Sequence, residues 1–384
     1  MPQTDILIIG GGIIGASLAF ELACRGHLSV TVLEANSAPA INGTASFASA
    51  GIVSPPSRID IPQPMLELAL RSLQLYPKLA AQLENEQAGP TGYAEMGELS
   101  LAANGMEVKK LQNRQRWHTK AGFEARWLSP EEVSEIEPLA GPNAGALYNP
   151  GAVVRAAWLT RALLEAARRK GVEVKVDHPV NELHMENNRV AGIALLDGQV
   201  LKAETVVLAA GAWSGHWLDR QIEAARGTAP GYARHLWPVR GQMLSVVAPE
   251  GTPTLKHVLN SPLGYALPRP GGDIAFGATV EPEAGFTVNN TPDGLRELGQ
   301  LVHKLAPALD KAPIKETWAG LRPGTSGDRP MLGPIPELPS LWLAAGHYRS
   351  GILMAPSTAE LLAGALLNDS AALARLNDFK PHAD

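Results

Sequence analysis

The 384-residue chain has a single cysteine, Cys24, no marked surplus of charge and no long apolar run. One cysteine excludes an internal disulfide and any cysteine cluster for zinc or iron–sulfur. That usage fits a reducing compartment, and a cytoplasmic location is expected. Cys24 itself reads as a small core residue of the first helix. Lys and Arg number 33 against 38 Asp and Glu, a formal net charge of −5. No basic field therefore draws nucleic acid or anionic lipid. The cluster Arg168-Arg169-Lys170 reads as a solvated helix end. The uncharged run Ile6 to Phe20 is 15 residues long, short of the roughly 20 apolar residues of a membrane-spanning helix. Asp5 precedes it where a signal peptide would carry basic residues, so neither a transmembrane segment nor a leader is expected. Internal repeats are absent. So are G-x-S-x-G and H-E-x-x-H, which leaves no nucleophile elbow and no metal site to assign.

Glycine and proline, 38 and 31 residues, are plentiful and dispersed. They punctuate many short elements, and the length suggests two domains. Residues 5–15 read DILIIGGGIIG. Ile6 to Ile9 has the wholly apolar character of a central parallel strand. Gly10, Gly12 and Gly15 form G-x-G-x-x-G, Ala16 to Arg25 supplies a helix, and Gly26 can end it. A second strand, Val30 to Leu33, stops at Glu34, 19 residues past Gly15. Each position has a physical task. The glycines allow a tight turn, close approach to a pyrophosphate and close helix–strand packing. The helix N-terminus presents free N–H groups, and the acid can accept bonds from ribose hydroxyls. Dinucleotide binding follows, and the motif alone fits FAD or NAD.

Three later stretches favour FAD. Gly43 to Pro55, GTASFASAGIVSP, offers small residues and hydroxyls along which a diphosphate and flavin can lie. An amphipathic helix from Ala156 to Lys170 ends at Gly171, with Leu159, Ala162, Leu163 and Ala166 on its apolar face. Strands carrying Val180 and Val206 to Ala209 then close on Gly211, resuming a βαβ unit after a long insertion. The segments WAGLRPGTSGDRPMLGP and LWLAAGHYRSGILMAP complete the set, the second reading strand, glycine loop, helix.

GGGIIG with Glu34, TASFASAG, VVLAAGAWS, WAGLRPGT and GHYRSGILMAP together resemble the D-amino acid oxidase superfamily of flavoproteins. Within it the chain is most similar to glycine oxidase of the thiazole pathway, the likeness running in order over nearly the whole length. The resemblance implies an α/β fold: a doubly wound, Rossmann-like FAD domain and a second α+β substrate domain on an antiparallel sheet. The FAD domain would comprise 1–90, 148–233 and 316–384, and the substrate domain 91–147 and 234–315. GQMLSVV, GYALPRP and IAFGATV read as strands of the latter. FAD would be held non-covalently by Gly10, Gly12, Ile13, Ile14, Gly15, Glu34 and Ala35; by Ala45, Ser46, Ala50, Gly51 and Ile52; by Val180 and Gly211; and by Gly346, His347, Tyr348, Arg349, Ser350, Gly351, Ile352 and Leu353. Relatives that attach flavin covalently use a C-terminal cysteine, or a histidine near the first flavin loop; this chain has neither.

A flavin that oxidises an α-amino acid takes hydride from Cα, so the protein needs no nucleophile of its own. It must grip a carboxylate. The planar fork of arginine does this bidentately and fixes orientation, which lysine does not. Arg322 is the first choice, placed by Pro323 and Gly324 at a rigid turn between strand and loop. The resemblance assigns it substrate carboxylate, with Tyr265 assisting and Arg349 beside the flavin. Arg240 and Arg269 read as structural. The expected reaction is oxidation of glycine, sarcosine or small D-amino acids to a 2-oxo acid, amine and peroxide. Oxygen would be the acceptor, the protein a homo-oligomer, and thiamine biosynthesis the setting. SFASAGIVSP also resembles D-amino acid dehydrogenase, which passes electrons to quinone or another acceptor. A third reading is an FAD-bound subunit that is silent without its assembly.

Overall fold

A computed structural model describes residues 4–26, 28–57 and 61–383. Five parallel strands form the first sheet, in the spatial order Glu173–Lys175, Val30–Leu33, Thr4–Ile9, Val200–Leu208 and Leu341–Ala345. Met331–Pro334 closes one edge antiparallel to Leu341–Ala345. The antiparallel strands Arg189–Leu195 and Val180–Glu186 extend from the N-terminal half of Val200–Leu208.

The apolar run of Thr4–Ile9 is explained by its two faces. Ile6 and Ile8 enter a core shared with three helices, Ile13–Arg25, Ala156–Arg169 and Gly351–Leu366. Leu7 and Ile9 enter another core with the Arg189–Leu195 strand and the helix Ser214–Arg226. A strand covered on both sides has no polar face to alternate with. Leu159, Ala162, Leu163 and Ala166 of Ala156–Arg169 are all at most 2% exposed, so the amphipathic reading of this helix matches its packing. Cys24 departs from expectation. It is exposed in the last turn of its helix, where Gln82 Nε2 lies 3.9 Å from its sulfur.

Nine strands form the second sheet, in the order Gly43–Thr44, Ile314–Thr325, Leu236–Val247, Asp273–Gly277, Gly264–Pro268, Val258–Ser261, Glu98–Leu101, Ala146–Asn149 and Arg126–Leu128. Pairing is antiparallel apart from two parallel neighbours, Ile314–Thr325 with Gly43–Thr44 and Val258–Ser261 with Glu98–Leu101. Leu298, Leu301, Val302 and Leu305 of the helix Pro292–Leu305 pack on one face of this sheet.

The expected border at residues 315 and 316 falls inside the strand Ile314–Thr325. That strand pairs with Leu236–Val247 as far as Thr325, and at Gly320 and Leu321 with Gly43–Thr44. The turn expected at Pro323 and Gly324 is absent, since both lie within the strand. Pro323 faces Pro238 across the ladder, and its carbonyl accepts from Tyr348 N–H on the other side. A non-hydrogen-bonded pair asks for no N–H toward the partner strand, which is where proline does no damage.

The helix Gly351–Leu366, whose first residues reach the cavity described below, carries Pro356 in its interior. Proline leaves the carbonyl four residues earlier, that of Ile352, without a helical donor. The buried hydroxyl of Tyr76 donates to it from the helix Gln63–Asn85. One residue on, Ser357 N–H donates to Ser72 Oγ at 3.1 Å, and Ser357 Oγ donates to the Leu68 carbonyl at 2.8 Å. The break in one helix is thus filled by hydroxyls of its neighbour. Removing the Tyr76 hydroxyl strands a buried carbonyl. Tyr76→Phe is expected to lower unfolding free energy by about 1–3 kcal/mol in urea titration; a loss under roughly 0.5 kcal/mol would contradict this role.

Candidate active site

The chain turns from strand to helix at Gly10, whose φ is +111° and where a Cβ would lie 2.5 Å from the Ala209 carbonyl oxygen. A Cβ on Gly15 would meet the Gly10 carbonyl oxygen at 2.1 Å, so only glycine allows this helix to pack so close. Gly12 is the N-cap residue and no side chain caps the helix through it. Ile13 N–H donates to Ser46 Oγ at 2.9 Å, and the rest of the first turn opens on a cavity. Glu34, 7% exposed, accepts from Gly11 N–H at 2.9 Å, and from Asn36 N–H at 3.0 Å and Nδ2 at 2.6 Å. The carboxylate is thereby fixed at the end of its strand, beside the glycine turn.

The cavity measures about 820 Å³ and lies between the two sheets, within the roughly 300–1,000 Å³ usual for ligand and cofactor sites. Gly10, Gly12, Ile13, Ile14, Glu34, Ala35, Val180 and Gly211 line it on the side of the parallel sheet. Ala45, Ser46, Ala50, Gly51 and Ile52 line it from the connecting segment, and Tyr265, Arg322, His347, Tyr348, Arg349, Gly351 and Ile352 from the second sheet and the C-terminal loop. Four expected residues are not part of the wall. Gly15 serves helix packing. Gly346, φ +90°, turns the loop where a Cβ would lie 2.4 Å from Thr325 Cγ2. Ser350 is the N-cap of Gly351–Leu366, and Leu353 is core. The glycine turn, the helix end and the fixed acid fit the pyrophosphate and ribose of FAD.

At the far end Arg322 is held in a specific pose. Its Nη1 donates to the carbonyls of Thr279 at 3.1 Å and Arg240 at 3.3 Å. The register pairs Arg322 with Val239, which makes Gly241 its diagonal neighbour on the same face. The guanidinium lies over Gly241, where a Cβ would come within 2.3 Å of it. Burial pulls the Arg322 pKa below its ordinary value, and the neighbouring Tyr265 opposes that shift. Burial raises the Tyr265 hydroxyl, and the Arg322 and Arg349 charges pull it back only in part, so it stays protonated. Tyr265 also donates to Met243 Sδ at 3.4 Å. Arg349 is exposed at this end of the cavity, 5.2 Å over the ring of Tyr348. Tyr348 adopts φ +49°, a left-handed conformation rarely taken by an aromatic residue.

Among the described residues no carboxylate pairs with Arg322 or Arg349. Arg240 by contrast is paired with Glu281, and Arg269 with Asp273 and Glu316, in keeping with their structural reading. The wall also contains residues that the sequence reading did not single out, chiefly Gly241, Met243, Ala278, Val280, Leu263 and Trp213. GQMLSVV was legible as a strand, but which of its residues faces Arg322 depends on register.

His347 is 2% exposed and its Nε2 shares a hydrogen bond with Thr358 Oγ1 at 3.1 Å. Its Nδ1 has no hydrogen-bond partner among the described residues. Burial depresses its pKa from 6.5 to about 3, so it is neutral in the folded chain at neutral pH. In the unfolded chain it takes up a proton below pH 6.5, so its contribution is fully present above 6.5 and lost as pH falls toward 3. His347→Phe, which cannot titrate, is expected to flatten the fall in stability between pH 6.5 and 4.5, a difference of roughly 2 kcal/mol by urea denaturation. Parallel pH profiles for the two proteins would contradict a buried neutral imidazole.

Comparison with known proteins agrees with this geometry. The sequence matches the DAO family, described as FAD dependent oxidoreductase, over residues 5–365. It is 37% identical over 363 residues to the bifunctional protein ThiO/ThiG of Trichormus variabilis, covering 94% of this chain but 52% of that protein. The chain thus spans about half the length of that relative. It is 33% identical to the glycine oxidase of Geobacillus kaustophilus, covering 94% of this chain and 92% of the other. The crystal structure of a glycine oxidase from Geobacillus kaustophilus superposes with a TM-score of 0.87 at 31% identity, covering 100% of both chains. Fold, cavity and sequence converge: the chain belongs to the DAO family of FAD-dependent oxidoreductases, and FAD is its cofactor.

Proposed function

We propose that the protein oxidises small amino acids or secondary amines that carry a carboxylate, glycine and sarcosine foremost. Binding of FAD is proposed to be non-covalent. The observation that carries this reading is the uncompensated positive charge of Arg322, fixed by two backbone carbonyls at one end of the cavity. When bound, FAD supplies the two-electron acceptor for hydride leaving Cα. The chain supplies the rest. Arg322 has donors beyond Nη1 for a carboxylate, Tyr265 has a protonated hydroxyl beside them, and Arg349 adds a second positive charge at the mouth. Two points of attachment fix the plane of the carboxylate and the direction of its bond to Cα. Met243, Ala278 and Ile52 line the same cavity with apolar surface, which limits water there. The proposed net reaction takes amino acid, oxygen and water to 2-oxo acid, ammonia or amine, and hydrogen peroxide.

The relatives named glycine oxidase and ThiO/ThiG support this substrate class, and the latter name supports a role in making the thiazole of thiamine. No single helix among the described residues is long and apolar enough to cross a membrane. A cytoplasmic oxidase using oxygen, assembled as a homo-oligomer, is the reading we put forward.

Anaerobic mixing with glycine, sarcosine and D-alanine tests it. At least one is expected to bleach the flavin, with colour and one equivalent of peroxide returning on admission of air. No bleaching by any small amino acid would overturn the reading, and bleaching followed by reoxidation with a quinone but not with air would replace oxygen as acceptor. Arg322→Lys keeps the charge and loses the fork; kcat/KM is expected to fall about 100- to 1,000-fold. A fall of less than about threefold would remove Arg322 from the site.

A further inference from the structure

The substrate arginine leans on a carbonyl that belongs to no regular ladder. Thr279 lies two residues past the strand Asp273–Gly277, yet its carbonyl accepts the shorter of the two Arg322 Nη1 bonds. Backbone bonds hold this segment at two points, Thr279 N–H to the Gln242 carbonyl at 3.3 Å and the reciprocal pair of Arg240 with Glu281 at 3.0 and 3.1 Å. Side chains do more. Glu281 Oε2 accepts from Arg240 Nε at 3.1 Å and also from its Nη2. Glu281 Oε1 accepts from Gln242 Nε2 at 2.8 Å and from the Thr279 hydroxyl, whose oxygen in turn accepts Gln242 N–H at 2.8 Å.

The cluster is largely buried and anchored, with the Glu281 side chain 17% exposed. Gln242 is 0% and Thr279 1% exposed. Gln242 Oε1 accepts from Thr291 N–H at 2.8 Å, and its Nε2 donates to Thr291 Oγ1 at 3.0 Å, the hydroxyl that caps the helix Pro292–Leu305. Gly294 leaves the room, since a Cβ there would fall 2.2 Å from the Gln242 amide. The chain of contacts runs from a helix cap through Gln242 and Glu281 to Thr279, and from Thr279 to Arg322. Glu281 also pairs with Arg240, so the only guanidiniums left without a carboxylate near the cavity end are Arg322 and Arg349 among the described residues.

We propose that Glu281 is a positioning residue for the substrate carboxylate: it clamps Thr279 and neutralises Arg240, and so fixes the plane and the free charge of Arg322. It touches neither substrate nor cofactor. The inference rests on the substrate reading above, and acetate, a carboxylate with no amine that can be oxidised to an imine, separates the two. The holoenzyme is titrated with acetate and the shift of the flavin absorbance is followed. Wild-type protein is expected to saturate; if it does not, the substrate reading fails before Glu281 is in question.

Glu281→Gln retains the shape but presents an NH₂ to donors, so the acetate Kd and the KM for glycine are expected to rise together, each roughly tenfold or more. The limiting rate of flavin reduction at saturating substrate should change by less than about threefold, because the group does not touch the reacting atoms. Glu281→Asp should recover part of the affinity. A Glu281→Gln protein that melts earlier but binds acetate as wild type does would overturn the proposal, since the cluster would then be structural alone. If that variant yields no soluble holoenzyme, Thr279→Val decides. It removes the hydroxyl, which donates to Glu281 and accepts from Gln242 N–H, while Glu281 keeps its pairing with Arg240; it must weaken acetate binding in the same direction, or the proposal is wrong.

Discussion

A half-buried guanidinium that the protein does not neutralise is the feature on which the site depends. Placing a cation out of water costs several kcal/mol unless donors are satisfied and charge is answered. Arg322 receives two backbone carbonyls and the neighbouring Tyr265 hydroxyl, but no carboxylate among the described residues. Arg240 and Arg269 nearby are answered by Glu281, Asp273 and Glu316. The residual positive charge at this end of the cavity is therefore selective in its placement. It favours a small anion, and its orientation is set before any ligand arrives.

Three segments far apart in the chain have to meet for this to work. The strand Ile314–Thr325 carries Arg322, pairs at Gly320 and Leu321 with the loop after Glu34, and receives Tyr348 N–H through the Pro323 carbonyl. The cofactor loop and the C-terminal loop are thus hung on one strand. Two departures from local preference lie at this meeting point: φ +49° at Tyr348, and a proline inside the helix that follows. The Pro323 carbonyl holds Tyr348 N–H, and the Pro356 gap is filled by Tyr76 and Ser72. Local rules are broken where a cavity has to be built, as expected of functional sites.

The parts legible in the sequence are those where cause and effect lie close along the chain. GGGIIG, the apolar strand before it and Glu34 act within about 30 residues, and the cavity wall contains Gly10, Gly12 and Glu34. The amphipathic helix Ala156–Arg169 was readable from its period. Residues of WAGLRPGT and GHYRSGILMAP were assigned through family likeness, and Arg322 and Arg349 do share one cavity end. Pro323 and Gly324 misled, because breakers suggest a turn, whereas a non-hydrogen-bonded ladder position accepts proline without loss. Gly241, Thr279 and Glu281 stayed invisible for another reason. Their importance comes from how Leu236–Val247 lies against Ile314–Thr325 on one side and against Asp273–Gly277 and the segment after it on the other, neighbours that no local pattern connects.

The most direct measurement is a crystal structure of the FAD-loaded protein grown with acetate. The acetate carboxylate should lie within hydrogen-bonding distance of free Arg322 guanidinium donors and of the Tyr265 hydroxyl, with Arg322 Nη1 still on the Thr279 carbonyl. An Arg322 side chain turned to solvent, or a carboxylate bound at this end of the cavity without touching it, would contradict the clamp.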